Sequence, residues 1–481
     1  MNSLVAVTGQ AGFTEADLEQ MHRAALKVLF ELGISVENST ALRLLVEAGV
    51  RVDGSRAYFH PEFVEEHLHI LKENWAKEAI IPKDIPDHLT FGVGDMCQYY
   101  HNPHTDAIEL MTTKNLVEAS KIVHAMQTRG LGSYVPGVPR DVPNQLQALV
   151  EYRIGAEFLT GEPTLDTLHP PEALPYLFEL AEIMGHPLRS TNIFSVSPLR
   201  LSGYEFDIAV SYRDHWQSFS VTTYPAAGVS APIHFRAAWV LSIAEALGGA
   251  VTMHIVSGGK PITFSVGMFP FDLRTITIVG GMPECIWMYW ARAQIDRFYN
   301  PNVGYSMMLG TQAKRPGLQA GLEKGMAGAF GAMTGCDDFH YIGVLSFDDI
   351  FSPEQMLADI ELCDALDHLK RGIPRQDPEA WLDTIQEGLE GGYLKADSTL
   401  DHYQEAYWQP SLMDRLSWHT FQHASGKTAR ERSREAVLAM LDAYAYKPPA
   451  EIEKVRKIFS AAWNQLGGDP QSETLRLLCN F

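Results

Sequence analysis

Between about residues 89 and 371 the chain alternates short runs rich in β-branched and aromatic residues with longer amphipathic stretches. That alternation limits the fold more than any other feature. Candidate strands lie at 191–196, 218–224, 262–266, 304–309 and 341–345. Candidate helices lie between them at 172–184, 234–247, 284–298, 318–334 and 353–369. Strands joined through helices run parallel, because an antiparallel pair needs only a short turn. The alternation lasts roughly 280 residues, close to the ~250 typical of a closed (β/α)8 barrel. A doubly wound dinucleotide sheet is the alternative, but Gly92-Val93-Gly94 supplies only half of a G-x-G-x-x-G turn. The predicted fold is a TIM barrel over residues 86–371.

The flanks read as helix. In residues 1–85, Thr14 and Asp17 form a capping box, Leu18, Met21, Ala25, Val28, Leu29 and Leu32 share one face, and Gly33 ends the helix. Further helices are expected from residue 39 or 40 to Gly49 and from Pro61. Residues 372–481 read as a proline-broken helical extension docked on the barrel through Trp408, Trp418 and Trp463. Its basic stretch 427–434 reads as a solvated helix face.

Lys and Arg number 38 against 59 Asp and Glu, a formal charge of −21. Such a surface repels nucleic acid and anionic membranes. The five cysteines are scattered without a C-x-x-C, as in a reduced cytoplasmic protein. Residues 1–13 lack the basic start and apolar core of a signal peptide, and the apolar run 237–256 is broken by Glu245 and His254. A cytoplasmic location is expected.

Several common sites fail on spacing. Gly426-Lys427-Thr428 lacks the first phosphate-loop glycine, since residue 421 is Phe, and no G-x-S-x-G or H-E-x-x-H is present. His419 with His423, and His101 with His104, lack an identifiable third ligand and read as a surface helix and a polar loop. Asp337-Asp338 and Asp348-Asp349 read as caps or loops, because adjacent residues point apart. What remains is aromatic. Tyr99, Tyr100, Tyr134, Phe194, Tyr224, Phe264, Phe269, Phe347 and Phe351 fall where strands end and βα loops begin, which is the active face of a barrel. Rings there can cage a quaternary ammonium ion by cation–π attraction. For any single ring, core or rim packing is the more ordinary role.

The phrases S-P-L (Ser197–Leu199), G-x-[ST]-A-P (Gly228–Pro232), G-x-P-E (Gly281–Glu284) and K-x-P-x-x-Q-A-G-x-E-K (Lys314–Lys324) occur in one order over roughly 130 residues. With the opening stretch MHRAALKVLFELGISVENST, they make the chain resemble the trimethylamine methyltransferase family, in its branch lacking pyrrolysine, typified by glycine betaine:corrinoid methyltransferases. All 481 letters are standard amino acids.

The resemblance implies a TIM barrel that moves a methyl group from a quaternary amine to Co(I) of a corrinoid (cobalamin), releasing the tertiary amine. Glycine betaine is the first choice, with dimethylglycine as product. Proline betaine, carnitine, or a non-catalytic betaine-binding role are the alternatives. The corrinoid is expected on a separate cognate protein, since no D-x-H-x-x-G phrase is read in this chain. No tightly bound metal and no acid–base residue are required, and a homo-oligomer is compatible. The expected substrate-binding residues are Tyr99, Tyr100, Tyr224, Phe264, Gln312, His340, Phe347 and Phe351. Lys314 and Asn192 are further donors for a carboxylate, Lys314 alternatively pairing with Glu323 and Asn192 capping backbone groups. His340 is expected to point into the barrel and bond the carboxylate, or else to bond a backbone carbonyl at its floor.

Overall fold

A computed structural model describes residues 12–78, 89–132, 134–163, 171–424 and 426–479. The expectation for residues 1–13 lies almost wholly outside this range.

Helix α1 (Glu15–Glu31) starts with the expected capping box at Thr14, and Gly33 follows it at φ +65°. Then come β1 (Ile34–Val36), α2 (Ser39–Glu47), β2 (Arg51–Asp53), β3 (Arg56–Tyr58) and α3 (Pro61–Glu78). The three strands correct the all-helical reading of this region. They are too short to show alternation, and they form because β1 pairs antiparallel with β3 and parallel with β8 (Arg200–Leu201) of a barrel loop.

The barrel begins at β4 (Thr90–Val93). A hairpin of β5 (Tyr99–His101) and β6 (Ile108–Leu110) follows, then α4 (Thr113–Gln127), α5 (Asn144–Phe158) and α6 (Leu174–Ile183). Next are β7 (Ser190–Phe194), β8, α7 (Tyr204–Ser211), β9 (Ser218–Thr223), α8 (Phe235–Val256) and β10 (Ile262–Val266). A second hairpin, β11 (Phe271–Asp272) with β12 (Thr277–Ile278), leads to α9 (Pro283–Tyr299), β13 (Ser306–Met308), α10 (Leu318–Thr334) and β14 (Asp338–Ile342). β15 (Val344–Leu345), β16 (Ile350–Phe351) and α11 (Pro353–Arg371) close it. Two parallel ladders, β10-β9-β7 and β13-β14-β4, make the wall, and Leu131 bridges Phe91 beside β4. With α4 to α11 outside, this is the expected (β/α)8 barrel.

Parity decides which side chains face the helices. Phe219, Val221, Ile262 and Val266 are buried outward, whereas Ser220, Thr222 and Ser265 alternate inward. Helix α8 runs nine residues beyond its expected end. Gly248-Gly249 does not stop it, because a Cβ at Gly249 would meet Val221 at 2.7 Å, so the pair lets helix and strand approach. Among the described residues α8 is the one helix long and apolar enough to cross a membrane, and most of its apolar stretch is buried inside the protein. Strand β14 begins three residues before its expected start. Its polar opening Asp338 bonds Thr90 inside the barrel, and Tyr341 at φ +68° breaks the period that pattern reading needs.

Beyond α11, α12 (Trp381–Glu387), α13 (Asp397–Ala406) and α14 (Trp418–His423) contain no buried residue. Trp418 is 71% exposed, so it does not dock as expected, while Trp463 is buried. The final helices, α15 (Ala429–Asp442), α16 (Ile452–Gln465) and α17 (Glu473–Cys479), pack on the barrel helices. The basic stretch is not a solvated face. Arg430 and Arg434 of α15 both bind Asp106 and the buried Glu354, tying α15 to α11 and the β5–β6 hairpin.

The Lys324–Asp359 pair between α10 and α11 is fully buried at 2.6 Å. Lys324 also donates to the Tyr341 carbonyl and Asp359 accepts from Gly343 N–H, so the pair clamps the end of β14. Removing one partner strands a buried charge, which costs about 3–5 kcal/mol. Lys324→Ala is expected to lose that much stability in urea unfolding. Lys324→Met combined with Asp359→Leu is expected to recover most of it.

Candidate active site

At the C-terminal mouth of the barrel, side chains from four strand ends meet. Tyr224, one residue past β9, stacks on Phe269 with centroids 4.7 Å apart and planes at 13°. Phe347 meets Phe269 edge-on at 5.4 Å, Tyr341 lies 6.2 Å from Phe347, and Phe194 lies 6.4 Å from Tyr224. Two glycines make the room. A Cβ on Gly267 would stand 2.4 Å from the Tyr224 ring, and one on Gly280 would stand 2.8 Å from Phe347. Ser346 and Phe347 both hold positive φ, a strained conformation fixed by backbone bonds to Ala313 and Thr311 at 2.8 and 2.7 Å.

His340 projects inward from the middle of β14. Its ring lies 5.4 Å from Tyr289 and 5.5 Å from Tyr341, and Nε2 is 3.4 Å from the Tyr289 hydroxyl. Burial, helped by the Arg292 cation, pushes its pKa down to about 3, so it is a neutral imidazole at pH 7. Among the described residues it bonds no backbone carbonyl at the floor.

The eight expected site residues therefore part company. Tyr224 and Phe347 join the ring cluster, and His340 lies against Tyr341 beside it. Phe264 packs outward between Trp75 and Tyr299, because it shares parity with Ile262 and Val266, and only its edge reaches the cavity between β10 and β13, away from the mouth rings. Tyr99 is 40% exposed on the hairpin strand β5, away from the mouth rings. Tyr100 is buried and donates to Glu118, and Phe351 is buried against Gly343. Tyr100 and Phe351 pair with each other across β5 and β16 instead of facing the mouth. Gln312 donates to the Ile278 carbonyl and lines a neighbouring cavity of about 730 Å3 beside the β11–β12 hairpin.

The donors resolve similarly. Lys314 donates to the Gln312 carbonyl and not to Glu323, which accepts from Thr311, the Gln312 N–H and Gln319. Asn192 accepts from Ser220 and Thr222 hydroxyls inside the barrel rather than capping backbone. Sequence reading missed Phe269 as the centre of the cluster, although it was among the rings at strand ends. It missed Tyr289, Arg292 and Tyr341 altogether. The helix position of Tyr289 and Arg292 hid them, since neither follows a strand.

Two ligand readings also change. His101 is buried on β5, bonded to Ser352 and Asp106, rather than in a polar loop. With Asp106 and Glu354 it could offer three metal-ligand atoms, but Arg315, Arg430 and Arg434 already hold those carboxylates. Three guanidiniums leave no need for a cation there. The letters D-x-H-x-x-G do occur, at Asp338-Phe339-His340-Tyr341-Ile342-Gly343, contrary to expectation. They form a barrel strand whose histidine lies inside the wall against Tyr289 and Tyr341.

The family model for trimethylamine methyltransferase (MTTB) matches residues 7–149 and 173–458. The chain belongs to the trimethylamine methyltransferase family, and it is a methyltransferase. It is 24% identical over 423 residues to a glycine betaine methyltransferase of Desulfitobacterium hafniense (strain Y51), covering 85% of this chain and 88% of that protein. It is 22% identical over 467 residues to the trimethylamine methyltransferase MttB of D. hafniense (strain DSM 10664 / DCB-2), covering 92% of each. A proline betaine:corrinoid methyltransferase of Eubacterium limosum is 26% identical over 242 residues, 49% of each chain. The phrases that carried the resemblance now have physical roles. Ser195, Ser197 and Leu199 N–H all bond the buried Glu245 of α8, and Glu323 and Lys324 fix the strand ends after β13 and β14.

Beside Phe347, burial and the neighbouring Asp349 push the Asp348 carboxyl up to about 6. A pKa raised on folding favours the protonated folded state. Its contribution to stability is full below the ordinary carboxylate pKa and is lost as pH rises through about 6. Asp348→Asn is expected to stabilise the protein at pH 8 by about 2 kcal/mol, and far less at pH 4.5. Urea unfolding at the two pH values reads the difference.

Proposed function

We propose that this chain transfers a methyl group from a small quaternary amine carrying a carboxylate, glycine betaine first, to the corrinoid of a separate protein, releasing dimethylglycine. The observation that carries the reading is the ring cluster of Tyr224, Phe269 and Phe347 set at the open end of a barrel whose inner wall is polar. Ring faces attract an N-trimethyl head, and polar wall groups suit a carboxylate. Trimethylamine offers no such tail, and the chain has no pyrrolysine. The names of the glycine betaine and proline betaine relatives support the same substrate class.

When a reduced corrinoid is presented by its carrier, its cobalt supplies a nucleophile for the methyl carbon. The loops after β9 and β10 offer an amphiphilic surface to such a macrocycle: Val229, Ile233, Leu273 and Ile276 are exposed there, beside Arg274 and Lys314. These residues would meet it. The chain's own part is orientation and exclusion of water. Breaking the methyl–nitrogen bond leaves its electron pair on nitrogen, so no proton moves and no base is needed. The positive charge leaves nitrogen as the bond breaks, and a cage that held the cation too tightly would slow the step. Firm binding therefore belongs at the carboxylate end. There the neutral His340 can donate one N–H.

Methylation of free cob(I)alamin, followed by absorbance, tests the assignment. Glycine betaine is expected to react and trimethylamine not, and equal rates with both would sink it. Phe347→Leu is expected to weaken betaine binding roughly 2- to 30-fold, the range of a cation–π contact, while Tyr99→Leu on the hairpin strand leaves it within twofold. His340→Ala is expected to cost about ten- to a hundredfold in betaine affinity with little change in melting temperature. Unchanged affinity would make His340 a packing residue.

A further inference from the structure

An α/β barrel is ordinarily filled by layers of branched aliphatic side chains. Here Asn192, Ser220, Thr222 and Ser265 point inward, and the hydroxyls of Ser220, Thr222, Thr263, Ser265 and Ser306, with the rings of Phe264 and Tyr305 at its edge, line a cavity of about 360 Å3. That size is at the lower end for small-molecule sites. Among the described residues no ladder joins β10 to β13, and α9 sends two side chains into that gap. Asp296 takes the place of a neighbouring strand: its Oδ1 accepts Val266 N–H at 2.9 Å and its Oδ2 accepts the Ser265 hydroxyl at 2.7 Å. Arg292, one turn earlier, donates from Nε to Ser265 Oγ at 2.9 Å and from Nη1 to the Tyr224 hydroxyl at 2.6 Å. No hydrogen bond is formed by its Nη2 among the described residues, and the side chain lines the cavity.

Resting on the reading of a quaternary amine held by the mouth rings, we propose that Arg292 and this hydroxyl-lined cavity form the anion subsite of the same pocket, so that the enzyme selects zwitterionic quaternary amines over purely cationic ones. Arg292 joins the two parts, lining the cavity on one side and bonding the Tyr224 hydroxyl on the other, and the whole is polar along one axis. The guanidinium lies 5.5 Å from the Tyr224 ring centroid and 5.9 Å from that of Tyr289, the ring His340 also touches, while Phe269 stacks on Tyr224. A bare ammonium head that slipped inward would meet a like charge, whereas a carboxylate would meet a free guanidinium N–H beside the His340 imidazole. Asp296 offsets part of the charge, but both its oxygens are committed, so it holds the guanidinium in place. Only one orientation of a betaine satisfies both ends, and it leaves the methyl groups at the mouth. Charge-assisted bonds of this kind are worth roughly ten- to a hundredfold in affinity.

Calorimetric titration of the full chain with three ligands sharing one head tests this: glycine betaine, choline (a hydroxyl in place of the carboxylate) and tetramethylammonium. The wild type is expected to prefer glycine betaine over choline at least tenfold. In Arg292→Gln the preference should fall below threefold through loss of betaine affinity, with tetramethylammonium binding within threefold of wild type. Tyr224→Phe removes the same hydroxyl bond but keeps the cation, and should retain the preference. If Arg292→Gln does not fold, Arg292→Lys decides. Its point charge cannot fork between Tyr224 and the cavity, and the preference should drop at least threefold. Equal affinities for betaine and choline in the wild type overturn the inference and leave the quaternary-amine reading standing. An unchanged preference in the Arg292 variants, or an equal loss for all three ligands, overturns the role of Arg292. Binding of none of the three by wild type overturns the quaternary-amine reading itself, and the anion subsite with it.

Discussion

Buried charges on the helices hold the strand ends that make the mouth. After β7, Glu245 of α8 gathers Ser195, Ser197 and the Leu199 N–H. At the end of β10, Asp296 of α9 binds Ser265 and Val266. After β13, Glu323 of α10 binds Thr311 and the Gln312 N–H, and after β14 the Lys324–Asp359 pair binds Tyr341 and Gly343. A buried charge is costly unless hydrogen bonds satisfy it. Each of these groups therefore tolerates one loop conformation and penalises the others. The rings at the mouth inherit that rigidity: Phe347 keeps a strained backbone because Thr311, itself fixed by Glu323, holds its N–H.

Rigidity of this kind suits the proposed transfer from a quaternary amine, in which no proton moves. On that reading the chain lowers the barrier by holding a methyl carbon in line and keeping water out, and both depend on side chains that do not drift. Tyr224 is fixed on three sides, by Phe269 stacked on its face, by the absent Cβ of Gly267 and by Arg292 at its hydroxyl. That is more restraint than a packing tyrosine needs.

The barrel was legible because its outward residues are regular. Phe219 and Val221 alternate with Ser220 and Thr222, and the bounds of β10 and α10 coincide with their expected ones. β14 was misplaced because its ladder opens on Asp338 and is interrupted at Tyr341, so no apolar period marks its first half. Within the site, placing a ring near a strand end was sound, but facing it needed parity. Phe264 sits one residue from the inward Ser265 and points the other way. Tyr100 and Phe351 belong to a small ladder outside the barrel wall, which no local pattern distinguishes from a wall strand.

The missed residues share a cause. Arg292 and Asp296 are four apart on a helix, and at that spacing a sequence shows an ordinary exposed ion pair. What turns them inward is the gap between β10 and β13, a long-range property of the wall. A signal was nonetheless present. Ser220, Thr222, Thr263 and Ser265 occupy the inward phase of two adjacent strands, where a filled barrel would carry Val, Ile or Leu. Hydroxyls in that phase imply that the interior is wet or occupied by something polar, and a group that neutralises and orients it must come from outside the strands. In this chain that group is a cation reaching through the wall from α9.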